Sequence, residues 1–133
     1  MLKAYPAIFK EDGDRYFIEF PDIQGAYTES DGMDVAHGIA MAEEVLGMVL
    51  ADMVESGEDL PTPTPVAALE MPNNGLVTLI KVNLVEFFKN DEPVKKTLTI
   101  PTWANDLGIK EGINFSRLLT SAIANVATST RDL

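Results

Sequence analysis

Four carboxylates, Asp12, Asp14, Glu19 and Asp22, fall close together near the start of the chain, and they are the nearest approach in the sequence to a catalytic set. A metal-dependent nuclease needs several such groups around its divalent ions. Glu11-Asp12-Gly13-Asp14, however, has the composition of an exposed turn. Glu19 differs, because it falls mid-strand on a face of mixed polarity where an acceptor can meet a basic partner. The one histidine, His37, has no nucleophile or second metal ligand at a workable spacing and reads as an ordinary surface-helix residue. The absence of cysteine removes disulfides, zinc thiolates and thiol nucleophiles together. No catalytic residue, metal site or cofactor is therefore expected. A second group of polar side chains lies far along the chain, where Lys95, Thr97 and Thr99 alternate with Leu98 and Ile100. In a strand that spacing gives one hydrogen-bonding face and one apolar face.

The elements that must carry these residues follow from periodicity. Ala4–Phe9 and Arg15–Phe20 flank the EDGD turn and read as a hairpin, with Tyr16, Ile18 and Phe20 on one apolar face. Pro21-Asp22 breaks it, and Gly25–Thr28 is a short third strand. Met33 to about Ser56 carries Ile39, Ala42, Leu46, Val49, Leu50 and Met53 at helical steps, so this helix should cover the sheet. Asp31 is the expected cap at its start, and Gly57 its stop. Three alternating prolines in LPTPTPV read as an extended connector that spans without packing. Leu76–Leu84 is rich in β-branched residues and should return to the sheet. Phe87–Pro93 passes from apolar to charged residues and reads as a linker. Val94–Ile100 is then a strand stopped by Pro101, a residue suited to the first turn of a helix. That helix carries Trp103, Leu107 and Ile109 and stops near Gly112. Asn114 can cap a second helix with Phe115, Leu118, Leu119, Ala122, Ile123 and Val126 at helical spacing.

Charge divides along the same boundary. The 133-residue chain has a formal charge of −11. Residues 1–93 hold 5 Lys/Arg against 18 Asp/Glu, whereas residues 94–133 hold 5 against 3. An acidic unit of −13 thus precedes a basic segment of +2. The acidic unit suits a basic partner, since complementary charge steers association, and Glu19, Asp22, Glu43 and Glu44 are its candidate contacts. No stretch has the length of a membrane span or the form of a signal peptide. A cytoplasmic protein without membrane contact is expected.

KKTLTIP, a short helix and then GINFSRLL opening a second helix together resemble the ribbon-helix-helix family over roughly residues 94–128. YPAIF, RYFIEFPDIQG, the TES turn and the amphipathic helix followed by GEDLPTPTP are similar to the HicB antitoxin family. Gly32 stands where that family usually has Ser or Thr at the helix start. The two resemblances imply an α+β chain. Residues 1–90 would form a toxin-neutralising unit, a three- or four-stranded antiparallel sheet covered by a helix and related to a truncated RNase H fold. Residues 91–133 would form a ribbon-helix-helix unit that dimerises.

By the same resemblance, strands from two chains pair and enter the major groove. Lys95, Thr97 and Thr99 would then read bases, while Leu98, Ile100, Trp103, Leu118 and Ile123 form the dimer core. Lys96, Lys110, Asn114, Phe115, Ser116 and Arg117 would hold phosphates, partly through amides at a helix N-terminus. The implied partners are a small basic HicA-like ribonuclease toxin and operator DNA, with the complex repressing its own operon. A homodimer is required, because a lone ribbon strand leaves its edge unpaired. Its further pairing into tetramers, like the operator sequence, stays open. The alternatives are an RNase H-like nuclease tethered to DNA and a regulator with no toxin, and an adjacent reading frame for a small basic protein would separate them.

Overall fold

A computed structural model describes residues 1–129, so the end of the C-terminal segment, 130–133, lies outside the described residues. Four strands form one antiparallel sheet in the order β3-β2-β1-β4: β1 Leu2–Asp12, β2 Arg15–Glu19, β3 Tyr27–Glu29 and β4 Gly75–Asn83. The central β1 pairs along its second half with β2 (Phe9 opposite Ile18) and over most of its length with β4 (Tyr5 opposite Ile80). Alternation does the sorting. Tyr5, Ala7, Phe9, Tyr16, Ile18, Phe20, Ile80 and Val82 are buried on one face. The helix α1, Val35–Glu55, covers that face with Ala42, Leu46 and Leu50, all fully buried. Burying each leucine stabilises the fold by about 1.5–3 kcal/mol. At the start of β4 only glycine fits, because Gly75 has φ +153° and a Cβ there would lie 1.8 Å from the Phe9 carbonyl oxygen.

Several expectations are corrected in detail. The helix cap is Asp34, whose carboxylate accepts from the Ala36 N–H at 3.0 Å, and not Asp31. The third strand is displaced to Tyr27–Glu29. The proline-rich connector does pack. Leu60 is buried in the core, the Tyr5 hydroxyl donates to the Pro61 carbonyl at 2.6 Å, and Thr64 donates through both N–H and hydroxyl to the Asp22 carboxylate. Pro6 belongs by alternation to the face away from α1 and is nevertheless buried, so that face too is covered at this point. The linker is shorter than its composition suggests. Phe87 and Phe88 pack on the core, and Phe87 lies against α1 at Gly47. Lys89 pairs with Asp52 at 2.7 Å, and its N–H donates to Glu55 at 2.9 Å.

No described residue after Phe88 joins this core. Residues 91–100 are exposed and carry no strand in the single chain. The expected Val94–Ile100 strand has no ladder here, since it pairs with no strand of the sheet. Two helices follow, α2 Thr102–Lys110 and α3 Phe115–Ser129, with Pro101 in the cap position rather than inside the first turn. Gly112 turns the chain between them with φ +67°.

Candidate functional site

The acidic candidates fall on different sides of the sheet. Ile18 faces α1, so its neighbour Glu19 points the other way, where it pairs with Lys10 at 2.8 Å. Glu43 and Glu44 are exposed on α1. Glu43 also lines a cleft of about 220 Å³ with Lys81, Glu86 and Phe87. The structure therefore does not bring Glu19 together with Glu43 and Glu44. Asp22 is half-buried and spends its carboxylate on Thr64. Asp12 and Asp14 are exposed at the hairpin turn. Among the described residues no group of three or more His, Asp or Glu is placed to hold a metal ion.

A larger cavity, about 570 Å³, opens beside β3. Its walls include Phe17, Tyr27, Glu29, Asp31, His37 and Met41. Phe17 and Tyr27 stack at 6.0 Å between ring centroids, and Arg15 is held by Glu29 at 3.4 Å and Asp14 at 3.6 Å. His37 is a structural acceptor here, its Nδ1 taking the Asp31 N–H at 3.1 Å. Ser30, the last residue of the TES turn, is buried with both roles of its hydroxyl used. It accepts from the Tyr16 N–H at 2.8 Å and donates to the Gly32 carbonyl at 2.6 Å. Sequence reasoning missed this surface, since only the pairing of β3 with β2 brings Tyr27 beside Phe17.

Lys89 is held above the usual lysine range. The hydrogen bond and charge of Asp52 raise its pKa, with a further contribution from Glu55. A raised value on a cation means that the pairing is present across physiological pH and is lost only as pH climbs through it.

The C-terminal candidates form a separate set. Lys95, Lys96, Thr97 and Thr99 are all exposed, as are Lys110, Asn114, Phe115, Ser116 and Arg117 around the start of α3. The Asn114 side chain accepts from the Arg117 N–H at 3.0 Å, the cap that its residue type implies. It leaves the N–H groups of Phe115 and Ser116 directed out of the helix end. Phe115 packs over Gly108, where a Cβ would sit 2.5 Å from its ring. Leu98, Ile100 and Trp103 are 56%, 45% and 68% exposed, and Leu118 and Ile123 are also exposed. Such a run of apolar surface on a small helical unit marks an unpartnered interface.

Among the described residues no helix is long and apolar enough to cross a membrane. The fold and surfaces thus define an acidic α+β unit followed by an open helical one, a class of protein built to bind other macromolecules. Residues 5–105 match the family model described as the HicB-like antitoxin of bacterial toxin-antitoxin systems. The chain belongs to that family. It is similar to a chain of a toxin-antitoxin complex from Streptococcus pneumoniae, with 35% identity, coverage of 94% of this chain and 99% of the other, and a TM-score of 0.62. The Burkholderia pseudomallei antitoxin HicB shares the fold at 23% identity, 91% and 96% coverage and a TM-score of 0.54. A 14.9 kDa protein from the rep-hol intergenic region of Haemophilus phage HP1 is 25% identical over 100 residues, which are 73% of this chain and 72% of that one.

Proposed function

We propose that the acidic unit, residues 1–90, neutralises a small basic ribonuclease toxin, and that residues 91–133 dimerise as a ribbon-helix-helix unit that represses the chain's own operon. One observation carries this reading: charge, burial and secondary structure all change within the short stretch 88–94. Through residue 93 the chain is strongly acidic and closes its own core by Phe88; from residue 94 it carries a small positive excess and leaves Leu98, Ile100 and Trp103 in water. A partner strand from a second copy would remove Leu98 and Ile100 from solvent and turn Lys95, Thr97 and Thr99 toward a groove. The similar Streptococcus pneumoniae chain comes from a toxin-antitoxin complex, which supports a toxin as the partner of the acidic unit. The meander β1-β2-β3 followed by a helix over one face supports the likeness to a truncated RNase H fold. With its carboxylates dispersed, this unit is assigned a binding role in the cytoplasm and no catalytic one.

The test is an RNA-cleavage assay with a small basic HicA-like ribonuclease, sought in the reading frames adjacent to this chain's. Adding the full-length antitoxin should abolish cleavage at a one-to-one ratio. Cleavage that persists under a tenfold excess would overturn the toxin-binding half of the proposal.

A further inference from the structure

β3 is an edge strand of the acidic unit's sheet. The Ser30 N–H donates to the Tyr16 carbonyl at 3.0 Å, and the Phe20 N–H donates to the Ala26 carbonyl at 3.2 Å. Bonded pairs alternate along an antiparallel ladder. Ile18 and Thr28, midway between those two, therefore form the next bonded pair, and Thr28 turns its backbone groups toward β2. Tyr27 and Glu29 turn theirs outward, past the last strand of the sheet. Exposed edges are usually guarded by short length, charged side chains, proline, a bulge or a covering element. β3, Tyr-Thr-Glu, is short and carries one charge, Glu29, but has no lysine or proline of its own. At the opposite edge of the sheet, β4 carries Lys81 and has the short helical turn Val66–Ala68 packed against it.

The cavity of about 570 Å³ runs alongside this edge. Phe17, Tyr27 and Glu29 line it from the sheet face away from α1, His37 and Met41 line it from α1, and Asp31 adds a second carboxylate. Tyr27 is 61% exposed, so a large aromatic surface waits beside two unused N–H and two unused C=O groups. The cationic group in the cavity wall, Arg15, is already neutralised by Glu29 and Asp14.

We propose that the β3 edge is the toxin-docking site, and that the toxin adds an extended segment of its own chain as a fifth strand beside Tyr27–Glu29. This rests on the toxin-binding reading above and deepens it. Main-chain hydrogen bonds supply the affinity of such strand addition, and alternate side chains supply its specificity. Charge and register fix the chemistry of the incoming segment: Lys or Arg on the face that carries Glu29 beside Phe17 and Tyr27, alternating with an apolar residue toward Met41 on the α1 side. A basic toxin fits this site, and a second copy of the acidic unit, with like charge, is repelled from it.

The test uses the whole chain and the same HicA-like basic ribonuclease as the toxin. Glu29→Pro removes an outward N–H while leaving the Ile18–Thr28 ladder pair untouched, and Glu29→Ala removes the carboxylate but keeps the N–H. Proline should weaken binding on the order of 100-fold and alanine by less than about tenfold, since one leaves buried carbonyl groups unpaired and the other loses a single exposed charge. Amide hydrogen exchange on the unmutated proteins gives a second readout that needs no variant to fold. Tyr27 and Glu29 should exchange freely in the antitoxin alone and be protected in the complex. If the complex forms but these amides stay unprotected, the edge proposal fails while the toxin reading survives. Protection already present in the antitoxin alone would assign the edge to a second copy and also overturn it. Failure of the unmutated pair to bind would remove the toxin reading itself.

Discussion

Leu98→Asp should dismantle the dimer without touching the acidic unit, and the size of the effect follows from how Leu98 sits in the single chain. The side chain is 56% exposed, so pairing two copies removes about half a leucine from water twice over. Full burial is worth about 1.5–3 kcal/mol, which makes the combined contribution roughly 2 kcal/mol. Leu98→Ala should therefore raise the dimer dissociation constant by roughly 30-fold. Aspartate adds the cost of drawing two unpaired carboxylates out of water, several kcal/mol for each, and should raise it on the order of 10⁴-fold or more. Sedimentation equilibrium over a concentration series measures both constants, and a gel shift on operator DNA measures the consequence. The thermal unfolding of residues 1–90 should be unchanged, because no residue beyond Phe88 joins their core. A Leu98→Asp protein that remains dimeric at micromolar concentration would refute the placement of this residue in a shared ribbon.

The remaining expectations are distinct in kind. Thr97→Ala with Thr99→Ala should weaken binding to the operator far more than to random DNA, each good base contact being worth about 1–3 kcal/mol; equal losses on both would remove these residues from base reading. Arg117→Ala should instead weaken both DNAs alike and flatten the salt dependence of binding, as loss of a phosphate contact does. Gly75→Ala should lower the stability of the acidic unit by several kcal/mol in urea titrations, since a Cβ would meet the Phe9 backbone at 1.8 Å and relief means opening β4 from β1; an unchanged midpoint would show that the strand start readjusts. Purified chain with magnesium or manganese should leave RNA and RNA–DNA hybrids intact, and cleavage that disappears in Asp14→Asn or Glu19→Gln would reverse the assignment.

What could be read from the chain alone was whatever depends on near neighbours. Alternation in Tyr16, Ile18 and Phe20 identified the core face of β2, the steps from Ala42 through Leu46 to Leu50 identified the buried stripe of α1, and Asn114 announced its own helix cap. What escaped depends on distant partners. The bond between Asp22 and Thr64 spans 42 positions, so the prolines around Thr64 looked like a free connector. Asp31 and Asp34 are equally good caps by type, and the role falls to Asp34 because the helix starts at Val35, three residues too late for the Asp31 carboxylate to stand at the cap position. The Val94–Ile100 segment shows the limit most clearly: its strand pattern is complete, but the single chain gives it no ladder. The cavity beside β3 was invisible for a related reason, since Phe17, Tyr27 and Met41 meet only after the sheet and α1 have packed.

The central claim is a division of labour at residue 90, and truncation measures it most directly. A chain ending at Asn90 retains every residue of the core and the Lys89–Asp52 pair. It should bind the basic toxin and stop RNA cleavage as well as the full-length chain does, with association slowed by salt, while having no affinity for operator DNA. Residues 91–133 should bind the operator and leave the toxin active. Neutralisation by the C-terminal fragment with none by the N-terminal one would contradict the account.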